Sequence, residues 1–69
     1  MKNLVKERIR ELRKESGMNQ TQLAKALKTY QANISRWEKG LDEPNIDNII
    51  RLCELLNTTA DYLLGLSDY

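Results

Sequence analysis

Apolar positions recur along this chain at helical rather than alternating spacing. Leu4, Val5, Ile9 and Leu12 share one helical face, predicting a helix over residues 4–15 that stops at Gly17. Asn19 reads as the N-cap of a second helix over residues 20–27, with Leu23, Ala24 and Leu27 inward. A tight turn at Lys28 and Thr29 leads to a third over residues 31–39. It carries Ile34 and Trp37 on one face and ends at Gly40. Either Thr29 or Tyr30 precedes it as N-cap, and Thr29 has the better side chain. After a loop over residues 41–44, Asn45 caps a fourth helix, residues 46–56, whose stripe is Ile46, Ile49, Ile50, Cys53 and Leu56. Asn57 is a left-handed stop, Thr59 caps a short fifth helix over residues 60–64, and Gly65 closes it. No alternating Val/Ile/Thr run predicts a strand. The expected fold is all-α: a compact bundle of five short helices with loops of a few residues, one domain over residues 1–69.

At 69 residues the chain buries only about 60% of the surface its unfolded form exposes, so it needs a compact core or a partner. Its 41% hydrophobic and 30% charged residues are ordinary for a folded domain. A single Cys rules out an intramolecular disulfide and points to a reducing cytoplasm. The absence of His removes His-based acid–base chemistry and the commonest metal ligand. No metal, cofactor or small-molecule ligand is expected, and no enzymatic activity. No apolar run reaches membrane-spanning length, so no membrane association is expected either.

The net charge of +1 conceals a split. Residues 1–39 hold ten Lys and Arg against four Glu, a sum of +6; residues 40–69 hold one Arg against six Asp and Glu, a sum of −5. Such polarity suggests a polyanion on one side of the molecule.

Residues 20–39 form a short helix, a tight turn and a second helix, the helix-turn-helix arrangement, in which the second helix enters the DNA major groove. Ala24 is the small residue needed where the two helices touch; Leu23, Leu27, Ile34 and Trp37 hold them to a core. Residues 19–40, NQTQLAKALKTYQANISRWEKG, resemble the phage repressor and Cro (XRE-like) type of helix-turn-helix protein. The flanks are similar too, RIRELRKESGM at residues 8–18 and EPNIDNIIRLCELLNTTADYLLG at residues 43–65. Two features depart from that family. Lys28 stands at a turn position where Gly is frequent, and Leu41-Asp42-Glu43 is acidic where many relatives carry Lys or Arg against phosphate.

The resemblance implies a lambda-repressor-like fold and a sequence-specific regulator that binds double-stranded DNA as a homodimer, a repressor of phage or prophage type. Gln31, Ala32, Asn33 and Arg36 match the base-reading positions: Gln and Asn suit adenine, Arg suits guanine, and an Ala methyl suits thymine. Gln20 matches a phosphate contact, joined as candidates by Asn19, Thr29, Tyr30, Ser35 and Lys39. Arg13 and Glu38 match a structural ion pair linking the first helix to the recognition helix. Trp37 and Cys53 read as core residues rather than as a stacking platform and a catalytic thiol. Leu52 and Leu55 lie off the main stripe of helix four, and residues 62–69 are apolar-rich, so the last helices are expected to pair with a second copy. Two alternatives stay open: the antitoxin of a toxin–antitoxin pair, and a protein-interaction module of the same fold that binds no DNA.

Overall fold

The computed structural model describes residues 3–68. Its helices are α1 (Val5–Glu15), α2 (Gln20–Leu27), α3 (Gln31–Lys39), α4 (Ile46–Leu55) and α5 (Ala60–Leu64). There is no strand among the described residues, and none of the helices is long and apolar enough to cross a membrane. α1 packs on α3 and α5, α2 on α3 and α4, and α4 on α5.

Side-chain caps begin three of the helices. Asn19 and Gln22 form a reciprocal capping box at the start of α2, and Asn45 and Thr59 accept from the backbone N–H groups of Asn48 and Tyr62. α3 differs from expectation. Its N-cap is Tyr30, in extended conformation and without a side-chain cap bond, and not Thr29. Thr29 is engaged otherwise: its N–H is bonded to the Ala24 carbonyl, closing α2, and its hydroxyl accepts from Asn33 Nδ2 at 2.8 Å.

All five helices end alike. A left-handed residue, in turn Gly17, Lys28, Gly40, Asn57 and Gly65, follows the last turn. The next N–H then reaches back to the carbonyl five residues earlier: Met18 to Arg13, Thr29 to Ala24, Leu41 to Arg36, Thr58 to Cys53, Leu66 to Asp61. Lys28 holds this conformation at φ 58°, where an L-residue pays roughly 1–2 kcal/mol.

The core consists of Val5, Ile9, Leu23, Ala24, Leu27, Ile34, Trp37, Leu52, Leu56 and Leu63. Trp37 is 5% exposed, and Cys53 is half-buried against the same cluster. Burial pushes the Cys53 thiol up, with a further contribution from the Glu54 carboxylate. Of the expected stripe of α4, Leu56 is buried and Ile49 and Cys53 pack against the core. Leu52 is fully buried, whereas Ile46 and Ile50, from the expected stripe, are 77% and 53% exposed. The apolar arc of α4 is wider than its neighbours cover, and contact with α2 and α5 selects the edge that carries Leu52. In the C-terminal tail Leu63 is buried while Leu64 and Leu66 stay exposed; Tyr69 lies outside the described residues. Arg8 holds the start of this tail to α1. Its guanidinium donates to the carbonyls of Tyr62 and Ser67 and stacks over the Tyr62 ring at 4.0 Å.

One charged residue joins the inward row of α1: Arg13, one turn beyond Ile9, is 9% exposed. It meets Glu38 of α3 through two hydrogen bonds, Nε to Oε2 at 2.7 Å and Nη2 to Oε1 at 3.0 Å. Its Nη1 donates to the Met18 carbonyl at 2.9 Å, a group placed there by the left-handed turn that ends α1. The hydrogen bond to Glu38 raises the Arg13 pKa above its ordinary value, burial lowers it, and the Glu38 charge adds to the rise.

With side chains 10% and 5% exposed, each partner protects the other from an unpaired charge out of water. Removing one should therefore cost about 3–5 kcal/mol. In a cycle of Arg13→Met, Glu38→Gln and the double variant, urea unfolding should give a coupling of at least about 1 kcal/mol. A coupling near zero would reduce the pair to a surface accident. A second expectation concerns Lys28. Lys28→Gly relieves the left-handed strain but loosens the unfolded chain, and should raise stability by about 0.5–1 kcal/mol in the same assay. An unchanged or lowered midpoint would mean that Lys28 is unstrained.

Candidate nucleic-acid interface

The connection between α2 and α3 sets the geometry of the outward face of α3 without long side chains. Left-handed Lys28 reverses the chain, extended Tyr30 re-enters helix, and Ala24, 3% exposed, leaves room for α3 to cross. Ile34 and Trp37 then anchor one side of α3 in the core. At 3.6 residues per turn this turns Ala32, Ser35, Arg36 and Lys39 outward, with Gln31 and Asn33 on the flanks. Ala32, Arg36, Lys39 and Gln31 are exposed, and Ser35 and Asn33 are half-buried.

A hydrogen-bonded chain extends from the buried ion pair to this face. Gln20 Nε2 donates to Glu38 Oε1 at 3.2 Å, and Gln31 Nε2 donates to Gln20 Oε1 at 2.6 Å. The first residue of α2 and the first of α3 are thus tied together and referred to Arg13 of α1. A Gln amide carries two N–H donors and an oxygen with two lone pairs, so each keeps capacity beyond these bonds. Asn33 is tied differently, through Nδ2 to the Thr29 hydroxyl, which leaves its oxygen free of that bond.

The expected phosphate residues fall into two groups. Gln20, Ser35 and Lys39 line one recess of about 230 Å³ together with Arg10, Arg13 and Glu38. Arg10 and Lys39 bring exposed positive charge to its rim. Thr29 and Tyr30 lie instead at the turn between α2 and α3, Tyr30 at 79% exposure. Asn19 is committed to its capping box through Oδ1 and its own N–H.

Three features of the interface went unread in the sequence. Gln20 is a bridge between Glu38 and Gln31 as well as a candidate contact. Arg51 of α4 donates to the Leu27 carbonyl at 3.3 Å, satisfying the end of α2. Arg36 is paired through Nε with Asp42 Oδ2 at 2.6 Å, so the acidic loop reaches the outward face of α3. The last two signals were weak because each joins residues on different elements. The i, i+6 spacing of Arg36 and Asp42 matches no helical pair rule, since a turn lies between them.

These features match known proteins closely. The family model described as Helix-turn-helix (HTH_3) covers residues 9–63. The transcriptional regulator DicA of Escherichia coli is 41% identical over 64 residues, 91% of this chain and 47% of DicA. The regulator ImmR of Bacillus subtilis is 34% identical over 58 residues, 84% of this chain and 46% of ImmR. The chain thus spans less than half the length of either relative. Among solved structures, the P22 c2 repressor, in complex with a synthetic operator, superposes with a TM-score of 0.87 at 36% identity, covering 96% of this chain and 100% of that one. With the motif, the five-helix arrangement and the family match in agreement, the chain belongs to the helix-turn-helix family of the phage-repressor (XRE) type.

Proposed function

We propose that this chain is the DNA-binding domain of a sequence-specific transcriptional regulator of the repressor type, acting in the cytoplasm. The observation that carries this reading is the outward face of α3, bearing Ala32, Arg36 and Lys39 and backed by the Arg13–Glu38–Gln20–Gln31 chain. α3 enters the major groove, where Gln31, Ala32, Asn33 and Arg36 read base edges. Gln20, Ser35 and Lys39 hold the backbone on one side of α3, and Thr29 and Tyr30 on the other, with Asn19 at the α2 start. The similarity to a repressor bound to operator DNA supports this docking, and relatives named as transcriptional regulators favour it over an antitoxin role.

The functional unit is a homodimer formed through the C-terminal helices. Ile46, Ile50 and Leu64 remain exposed around an apolar groove of about 400 Å³ that Pro44 and Ala60 also line. Leaving such a patch in water is unfavourable, and covering it with a second copy would set two recognition helices about 34 Å apart, in successive major grooves. Repression then needs no chemistry: the bound dimer excludes other proteins from the same DNA.

Duplexes selected from a random pool should bind with an affinity that falls steeply between about 50 and 200 mM salt, as condensed counterions are released. Lys39→Ala should weaken all duplexes alike and reduce the salt slope by about 1. Arg36→Ala should flatten the preference at one base pair per half-site, costing about 1–3 kcal/mol there. A salt-independent affinity, or no binding to any duplex, would refute the DNA reading and favour an interaction module. For the dimer, Ile50→Lys should abolish cooperative occupation of two half-sites while leaving a single half-site bound as before. Undiminished cooperativity would place the dimer surface elsewhere.

A further inference from the structure

The pair between Arg36 and Asp42 differs from the buried one in every physical respect. Its side chains are 50% and 56% exposed, and an exposed pair of this kind adds little to stability. Yet it is held in place. After α3 the chain turns at left-handed Gly40, and the N–H groups of Leu41 and Asp42 both point back to the Arg36 carbonyl, at 2.9 and 3.4 Å. Arg36 thereby anchors, through its own backbone, the loop whose carboxylate meets its side chain.

The bond uses the guanidinium Nε. Of the five N–H donors in the planar fork, this leaves the two terminal nitrogens to act as a pair, the edge that suits guanine O6 and N7. An unrestrained Arg on the same helix would sample many rotamers, and in several of them it would find phosphate, a contact blind to sequence. A carboxylate beside it repels phosphate and orders the side chain before binding.

We propose that Asp42 is a specificity-setting residue, which positions Arg36 so that its terminal edge meets a base and not the DNA backbone. This rests on the DNA-binding role given above for α3. The acidic loop, an apparent liability for a DNA-binding surface, exchanges non-specific affinity for discrimination.

The test uses the whole chain as wild type, Asp42→Asn, Arg36→Ala and the double variant. Each is titrated by fluorescence anisotropy against a selected duplex, its single base-pair variants and an unrelated duplex. Arg36→Ala first identifies the base pair that Arg36 reads. At that base pair Asp42→Asn should lose preference on the order of tenfold, while the unrelated duplex binds more tightly. In the Arg36→Ala background, Asp42→Asn should change no base preference. Thermal unfolding of Asp42→Asn should match the wild type, because the pair is exposed. Full preference retained in Asp42→Asn, a uniform gain on every duplex, or a loss that persists without Arg36 would each overturn the proposal. If the wild type binds no duplex, or Arg36→Ala flattens no position, the DNA reading itself fails and this role falls with it.

Discussion

The arrangement depends on a charged pair that this small core can hold only if all of its polar demands are met. Arg13 and Glu38 sit between α1 and α3 with almost no access to water. In that setting a guanidinium is tolerated only with its donors engaged. Glu38 takes two of them and the Met18 carbonyl a third. Met18 is available because Gly17 turns the chain left-handed at the end of α1. The spare capacity of Glu38 Oε1 is used by Gln20, which fixes Gln31. A requirement for electrostatic satisfaction inside the molecule thus becomes a geometric constraint on a side chain at its surface. No buried side-chain nitrogen or oxygen lacks a partner among the described residues.

Features that depend on local chemistry were legible in the sequence. The caps at Asn19, Asn45 and Thr59, the left-handed stops at Gly17, Gly40, Asn57 and Gly65, and the extents of α2, α3 and α5 each follow from a few adjacent residues. The Arg13–Glu38 pair was reached through family resemblance; spacing alone does not join residues on two helices. What escaped depends on which neighbour covers which side. α4 carries apolar residues around much of its circumference, so periodicity defined a broad arc without choosing Leu52 over Ile46. Thr29 has the better capping side chain, but its N–H closes α2 and its hydroxyl accepts from the Asn33 amide. Short connections assign one residue to two elements, and residue-by-residue propensities do not register that competition.

The same competition shapes the outward face of α3. Five helices in a chain of 69 residues leave short connections, so helix ends perform several tasks at once. Thr29 ends α2 and holds Asn33; Gln20 starts α2 and orients Gln31. Lys28 adopts a conformation natural to glycine, and in return places an exposed positive charge beside α3. Strain in the turn and charge at its surface are two properties of one residue.

The molecule contains the same chemical pair, arginine with carboxylate, in two environments, and the environments assign opposite roles. Where water is excluded, the attraction is strong and the penalty for separation large, so Arg13 and Glu38 act as a permanent strut. Where water and ions screen it, the attraction is weak and reversible, so Arg36 and Asp42 can guide a side chain without holding the fold. Each pair has one member on α3: Glu38 is two residues beyond Arg36 and so on a different face. α3 therefore has a fixed side and an adjustable side. The reading proposed for α3 needs both, since a base edge is read only by a side chain whose backbone does not move and whose tip still has donors to offer.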